Sequence, residues 1–287
     1  MGGDTRRDDP WAEWLLERRF GGDPAVRSEV MEYLGRVRDR VLTNGALAPG
    51  ESVLDVGCGD GLVAFGALER GAGEVLFADI SDELLKRCRE LAEDLSLIGR
   101  CRFVSAGAEN LAPVGSRSVD LVTTRSVLIY VEDKRRAFAE FRRVLRPGGR
   151  ISLFEPINRL SNCLGAYDVT PVQELFARVR AVFERIQPPE SDPMLDFDER
   201  DLVELAEEAG FGEVNLQLEL ESKPPKPQRW EAFLDTSGNP KIPTFAEAMA
   251  EALTREERER LSEHLRPLVE GGRGRLRTAS AYLQARA

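Results

Sequence analysis

Val53-Leu54-Asp55-Val56-Gly57-Cys58-Gly59-Asp60-Gly61 decides how the chain is read, because an apolar run passes there directly into a glycine-rich turn. Val53, Leu54 and Val56 have the character of a parallel strand covered on both faces. Gly57, Gly59 and Gly61 carry no Cβ, so the backbone is free to take positive φ and a ligand can approach it closely. Leu62 to Arg70 reads as a helix, with Gly71 at its C′ position. Strand, glycine turn and helix together form the architecture of a nucleotide site. A dinucleotide fingerprint needs its third glycine three residues after the second, where this chain has Leu62, so hydride transfer is disfavoured. Asp55 at the strand end would repel a pyrophosphate and favour an ammonium group.

The alternation continues on the C-terminal side. Glu74 to Ile80 reads as a second strand, and Asp79 lies 18 residues beyond Gly61, near the distance at which such folds place a carboxylate on ribose hydroxyls. Ser81 is available to cap the next helix, Asp82 to Leu97, which leaves Asp79 for the ribose. That helix is expected to bury Leu84, Leu85, Cys88, Leu91, Ala92 and Leu95. Further strands are expected at 102–105, 118–124, 150–155, 213–221 and 275–283. Between them come helices at 133–145, whose apolar face is Ala137, Phe138, Phe141 and Val144, and at 199–209, capped by Asp198 and ended by Gly210.

Asp55 with the Gly-x-Gly-x-Gly turn resembles motif I of the class I S-adenosylmethionine-dependent methyltransferases. Asp120 at its strand start and the Leu145-Arg146-Pro147-Gly148-Gly149 turn strengthen the likeness over roughly residues 50–155. The resemblance implies a Rossmann-like α/β fold, with a seven-stranded, mostly parallel sheet, helices on both faces and a helical lid. It implies S-adenosylmethionine as cofactor, held by Asp55, Gly57, Cys58, Gly59, Gly61, Asp79, Ile80, Ala108, Glu109, Arg125 and Ser126. One departure is clear: the family commonly has Asp-Ala-Glu-x-Leu near the adenine, and here Gly107 stands at the Asp position. Recognition of the adenine amino group then falls to Glu109 or is absent. Arg125 is suited to the methionyl carboxylate or to a surface ion pair. The likeness is greatest to small-molecule methyltransferases such as those of quinone biosynthesis.

A net charge of −10 argues against non-specific nucleic-acid binding, which depends on neutralising phosphates. Arg135, Arg136, Arg142 and Arg143 are read as a solvated helix face. The four cysteines (Cys58, Cys88, Cys101, Cys163) lack Cys-x-x-Cys spacing, which points to a reducing compartment rather than a disulfide framework. The charged N-terminal residues and the lack of any apolar run of about 18 residues make a cytoplasmic protein the expectation, with no membrane partner. No clustered ligand spacing suggests a metal.

Residues 10–20 and 24–42 read as two helices, so 1–45 is expected to be an N-terminal helical cap. Residues 46–287 would then form the methyltransferase domain, with lid insertions at 156–196 and 222–272. Methyl transfer in line mainly requires alignment, and a base is optional. Tyr130, Glu155 and Asp168 are the candidate bases or orienters, and Asn158, Arg159 and Tyr167 are further candidates for contact with a small-molecule acceptor. His264, the one histidine, lies in a highly charged helix and is read as solvated. Two other readings stay open: a regulatory protein that binds S-adenosylmethionine without catalysis, and a methyltransferase acting on a protein. A monomer or a homodimer is expected.

Overall fold

The run Ser52–Val56 forms strand β1, and all five of its residues are buried. In this computed structural model, which describes residues 9–16, 19, 24–162 and 165–287, six further strands complete one sheet. They are β2 (Glu74–Asp79), β3 (Cys101–Ser105), β4 (Val119–Arg125), β5 (Leu145–Pro156), β6 (Gly212–Lys223) and β7 (Leu276–Arg286). The order is β3-β2-β1-β4-β5-β7-β6. β1 pairs in parallel with β2 and β4, and β4 in parallel with β5, whereas β7 runs antiparallel to β5. Strand order reverses between β1 and β4, so the crevice beyond their carboxyl ends is a topological switch point, where open α/β sheets bind ligands.

The chain divides into two compact units. The sheet unit comprises residues 32–159, 193–219 and 279–287. Its core is built on Phe77, whose ring lies 5.1 Å from that of Phe65 and 5.0 Å from that of Phe103. Val37, Val41 and Leu42, from the helix Pro24–Asn44, belong to the same core. Residues 32–45, grouped by sequence with the cap, therefore fold with the sheet, because their apolar stripe has its partners there. The helix predicted after Asp79 is shorter than expected, running Asp82–Asp94, and Leu91 and Leu95 are 42% and 53% exposed. It packs on β2 and on the edge strand β3, so its outer flank has no further strand to cover it.

Beside the sheet, α5 (Lys134–Val144) and α7 (Glu199–Glu208) pack on each other. Arg143 is not simply solvated, since it donates to Leu111 O, Val114 O and the Glu140 carboxylate. Lys134 is 6% exposed, and its Nζ donates to Val131 O, Pro193 O and Asp196 Oδ1. This one ammonium ties the start of α5 to the segment that re-enters from residue 193. Lys134→Met should destabilise the sheet unit by about 2 kcal/mol, since three acceptors lose a charged donor. Chemical denaturation checks this, and a loss under about 0.5 kcal/mol would show that water replaces the ammonium.

The helical unit comprises residues 1–31, 160–192 and 220–278. Its helices include Gln173–Ile186, Trp230–Asp235, Phe245–Ala252 and Arg255–Glu270. Thr244 with Glu247 and Thr254 with Glu257 form reciprocal capping boxes that start the last two. Tyr167, Phe176, Trp230, Phe245, Leu261 and Leu265 fill a separate core. The first helix is described over Pro10–Leu16, where Asp9 caps the N–H groups of Trp11 and Ala12. Its expected continuation through 17, 18 and 20, and Cys163, lie outside the described residues. Among the described residues no helix is long and apolar enough to cross a membrane.

Candidate cofactor site

Gly57, Gly59 and Gly61 all adopt positive φ, at 64°, 55° and 79°. A Cβ on Gly57 would lie 2.4 Å from Val127 Cγ2, and one on Gly61 2.6 Å from Phe65 Cε2. These glycines are thus demanded by the packing around the turn as well as by its backbone conformation. Gly61 N donates to Cys58 O at 2.8 Å, and Cys58 N to Ala78 O at 3.0 Å, so the turn is bound to itself and to β2. The Cys58 side chain is buried beside Cys88, and the hydrogen bond between the two thiols, with burial, pushes the Cys58 thiol well above its ordinary range. Cys88 is the core residue expected, and its Sγ donates to Gly59 O at 3.4 Å.

Asp79 closes the turn. Its Oδ2 accepts from Gly59 N at 2.8 Å and its Oδ1 from Ser81 N at 2.9 Å. Ser81 caps the next helix through Leu84 N, as expected. Asp79, however, is not left free: each oxygen already holds a backbone amide. The carboxylate both braces the glycine turn and marks the β2 end.

Two neighbouring threonines on β4 hold two buried acids. Thr123 Oγ1 donates to Asp55 Oδ1 at 2.8 Å, and Thr124 Oγ1 to Glu155 Oε1 at 3.0 Å. Asp55 also accepts from Ala64 N at 3.2 Å, in the first turn of Leu62–Glu69. Burial raises the pKa of each acid to about 7; Thr123, Arg125 and the Ala64 amide oppose the rise at Asp55. At 2% exposure, Asp55 is enclosed and does not present its carboxylate at the surface, where direct contact with an ammonium group would need it. Glu155 is 0% exposed, so it presents no carboxylate to an acceptor and is not placed as a base.

The remaining candidates separate by location. Ile80, 59% exposed, follows the β2 end, and a Cβ on Gly107 would lie 3.3 Å from its Cγ2. Ala108 is buried beside them. Glu109 Oε1 accepts from Asp133 N at 2.6 Å, which commits that carboxylate to the entry of α5 rather than to a base edge. Arg125 ends β4 half-buried, close enough to lower the Asp55 pKa, and forms no ion pair with the described residues. Ser126 follows at φ 58°, and Tyr130, half-buried, sits in the short helical turn after it.

In the helical unit, Asp168 is exposed and accepts from Thr170 N and Oγ1 at 3.0 and 2.7 Å. Those bonds hold its pKa below the ordinary value, which suits a turn cap and not a general base. His264 Nε2 meets Asp168 O at 2.7 Å, so the histidine is tied to a neighbouring segment instead of being merely solvated. Tyr167 is buried in the core, which raises its pKa. In the sheet unit, Asn158 Nδ2 donates to Met194 O and Arg159 is exposed.

Asp60, between the second and third glycines, escaped the sequence reading. Its Oδ1 is buried with no hydrogen-bond partner, an acceptor within the turn itself that awaits a donor. That orphan, three positive-φ glycines, an exposed apolar Ile80 and carboxylates at the ends of β1 and β2 fit a nucleoside bearing amino groups and a ribose. Fold and site together define a Rossmann-like protein for an adenosyl cofactor.

Comparison with known proteins narrows this. A profile described as "Methyltransferase domain" matches residues 54–153. The ubiquinone/menaquinone biosynthesis C-methyltransferase UbiE of Shewanella halifaxensis is 33% identical over 201 residues, covering 66% of this chain and 78% of the relative. UbiE of Cronobacter sakazakii is 33% identical over 175 residues, covering 58% and 68%. Several other UbiE relatives are matched over only about half their length, from 46% to 55%. Among solved structures, geranyl diphosphate methyltransferase in complex with S-adenosylmethionine superposes with a TM-score of 0.51 at 17% identity, over 92% of this chain and 93% of that one. The chain belongs to the class I S-adenosylmethionine-dependent methyltransferases, and its cofactor is S-adenosylmethionine.

Proposed function

We propose that the protein methylates a small-molecule acceptor, with the cofactor seated on the turn Gly57–Gly61. The observation that carries this placement is the brace between Asp79 and Gly59 N, which presets a turn containing an unsatisfied acceptor, Asp60 Oδ1. When bound, S-adenosylmethionine supplies a methyl group on a sulfonium, which passes in line to a nucleophile. The chain then has to bind, orient and screen. Asp79 is assigned to the ribose, Ile80 and the backbone of Ala108 to the adenine, and Asp55 supplies negative potential beneath the amino-acid end. Arg125, which forms no ion pair with the described residues, is assigned to the cofactor's carboxylate, alongside Ser126.

The names of the relatives make a quinone precursor the first acceptor to test and carbon the first atom to examine. Tyr130 is the candidate orienter of the acceptor in preference to Glu155, which is enclosed, and to Asp168, which caps its own turn. Of the residues expected as a lid, 156–196 and 222–272, the parts 160–192 and 224–272 lie outside the sheet unit and its strands, and these keep the assignment. Calorimetric titration tests the placement: S-adenosylhomocysteine should bind and NAD should not, and the reverse result would overturn it. Arg159→Ala should raise the KM for the acceptor about three- to tenfold with S-adenosylhomocysteine affinity unchanged, a loss of about 0.7–1.4 kcal/mol. An unchanged KM would remove Arg159 from the acceptor site.

A further inference from the structure

Glu155, at the end of β5, has too much hydrogen bonding for a base and too little for a fully satisfied core carboxylate. Its Oε1 accepts from Thr124 Oγ1 at 3.0 Å and from Val127 N at 3.1 Å, while Oε2 is buried and without a partner. The two donors come from β4 and from the segment that leaves it. That segment starts under strain: Ser126 takes φ 58°, a left-handed conformation unusual outside glycine, and its N–H donates to Phe154 O at 2.8 Å. The bend directs the amide of Val127 at Glu155 and its side chain the other way, onto the glycine turn. Val127 Cγ2 occupies space 2.4 Å from where a Cβ on Gly57 would stand. Leu128 and Ile129, buried just beyond, point their amides toward the same carboxylate and oppose the rise in its pKa.

A short chain of contacts thus runs from Glu155 through Val127 to Gly57. We propose that Glu155 is a positioning residue: by holding the amide of Val127 it seats that side chain against Gly57 and fixes the shape of the glycine turn for the cofactor, without touching cofactor or acceptor. A buried carboxylate suits the task because Oε1 receives two donors from different directions, which no apolar side chain of that size can do. The same clasp fixes the strand end that carries Arg125. The inference rests on the reading that the turn holds the cofactor.

Two measurements on the full chain separate the clasp from that reading. Amide hydrogen exchange of the ligand-free protein reports the clasp alone, and calorimetry with S-adenosylhomocysteine reports its effect on binding. Glu155→Met keeps the volume and removes both acceptors. It should speed exchange at Val127, Leu128 and Ile129 by about tenfold or more while β2 and β3 are unaffected, and weaken binding by about tenfold. Glu155→Gln keeps one acceptor oxygen and should restore both values to within about threefold of the parent. If the methionine variant does not fold, Thr124→Val is read by the same pair of measurements, with effects of a few-fold expected in both. Unchanged exchange at 127–129, a uniform rise across the sheet, or a glutamine variant no better than methionine would overturn the clasp. A parent protein that does not bind S-adenosylhomocysteine at all would instead overturn the cofactor placement, leaving exchange to judge the clasp.

Discussion

Asp79→Ala should weaken S-adenosylhomocysteine binding by about 10- to 200-fold, the equivalent of about 1.5 to 3 kcal/mol. Charged hydrogen bonds to the ribose would account for a loss of that size by themselves. The structure adds a second route, because the same side chain holds Gly59 N at 2.8 Å and Ser81 N at 2.9 Å. Alanine leaves both amides without an acceptor in a place that is 7% exposed around Asp79, and the turn keeps only the Cys58 N to Ala78 O bond as its tie to β2. Asp79→Asn is no remedy. One of its two polar ends is an NH2 group, which would face an N–H that needs an acceptor. Both variants should therefore lose affinity, with alanine also lowering the unfolding temperature by several degrees. Titration calorimetry together with thermal unfolding checks this, and affinity within threefold of the parent in both variants would remove Asp79 from the site.

Unfolding free energy should fall as pH rises from about 5 to about 7.5, with Asp55 and Glu155 as the cause. Burial raises both acids to about 7 in the folded chain, whereas unfolded carboxyl groups titrate near 4. The folded state therefore holds protons that the unfolded state has released. Their stabilisation is complete below about pH 4 and is lost as pH rises through about 7, with a slope that approaches about 1.4 kcal/mol per pH unit for each group. Glu51, Asp120 and Glu140 work in the opposite sense, since their pKa values are lowered and their contribution disappears in acid. The window between pH 5 and 7.5 therefore isolates the two buried acids. Asp55→Asn and Glu155→Gln should each flatten the profile there, and a parent profile flat across that window would show that both acids are ionised when folded. Binding of a sulfonium cofactor adds a linked effect. Its positive charge favours ionised Asp55, so affinity should improve as pH rises toward 7 and protons should be released on binding.

Much of the sheet unit could be read from local pattern. The strand–turn–helix around Gly57, the Ser81 cap, the apolar face of α5 and the Asp198 capping box each depend on residues a few positions apart, whose physics is written in the spacing. The site was legible to the level of which strand ends carry acids. What those acids do was not. Asp55 meets Thr123, Asp79 meets Gly59, and Glu155 meets Thr124 and Val127, all across 20 to 68 positions of sequence. Whether a carboxylate at a strand end is exposed or enclosed depends on how closely the next loop returns over it, and here the Ser126 bend decided that for Glu155. Lys134 was hidden for the same reason, because its acceptors Pro193 and Asp196 come from a segment about 60 residues away. The edge position of β3, which uncovers Leu91 and Leu95, is a property of strand order that no single window of sequence contains.

The place of β7 has a consequence for how the molecule is made. It lies between β5 and β6, although it is synthesised after both. Once residues 212–223 have left the ribosome and before β7 has followed, β6 has no neighbour to pair with, because the strand that will separate it from β5 is not yet available. The five strands β1 to β5 can register as they emerge, each beside one already made. Closure of the sheet waits for β7 to insert, fixed at its far end by Ala287 N donating to Gly149 O at 2.7 Å. Until then the open flank of β5 and the unpaired β6 are the surfaces on which a nascent chain is most exposed to mispairing and most in need of a chaperone.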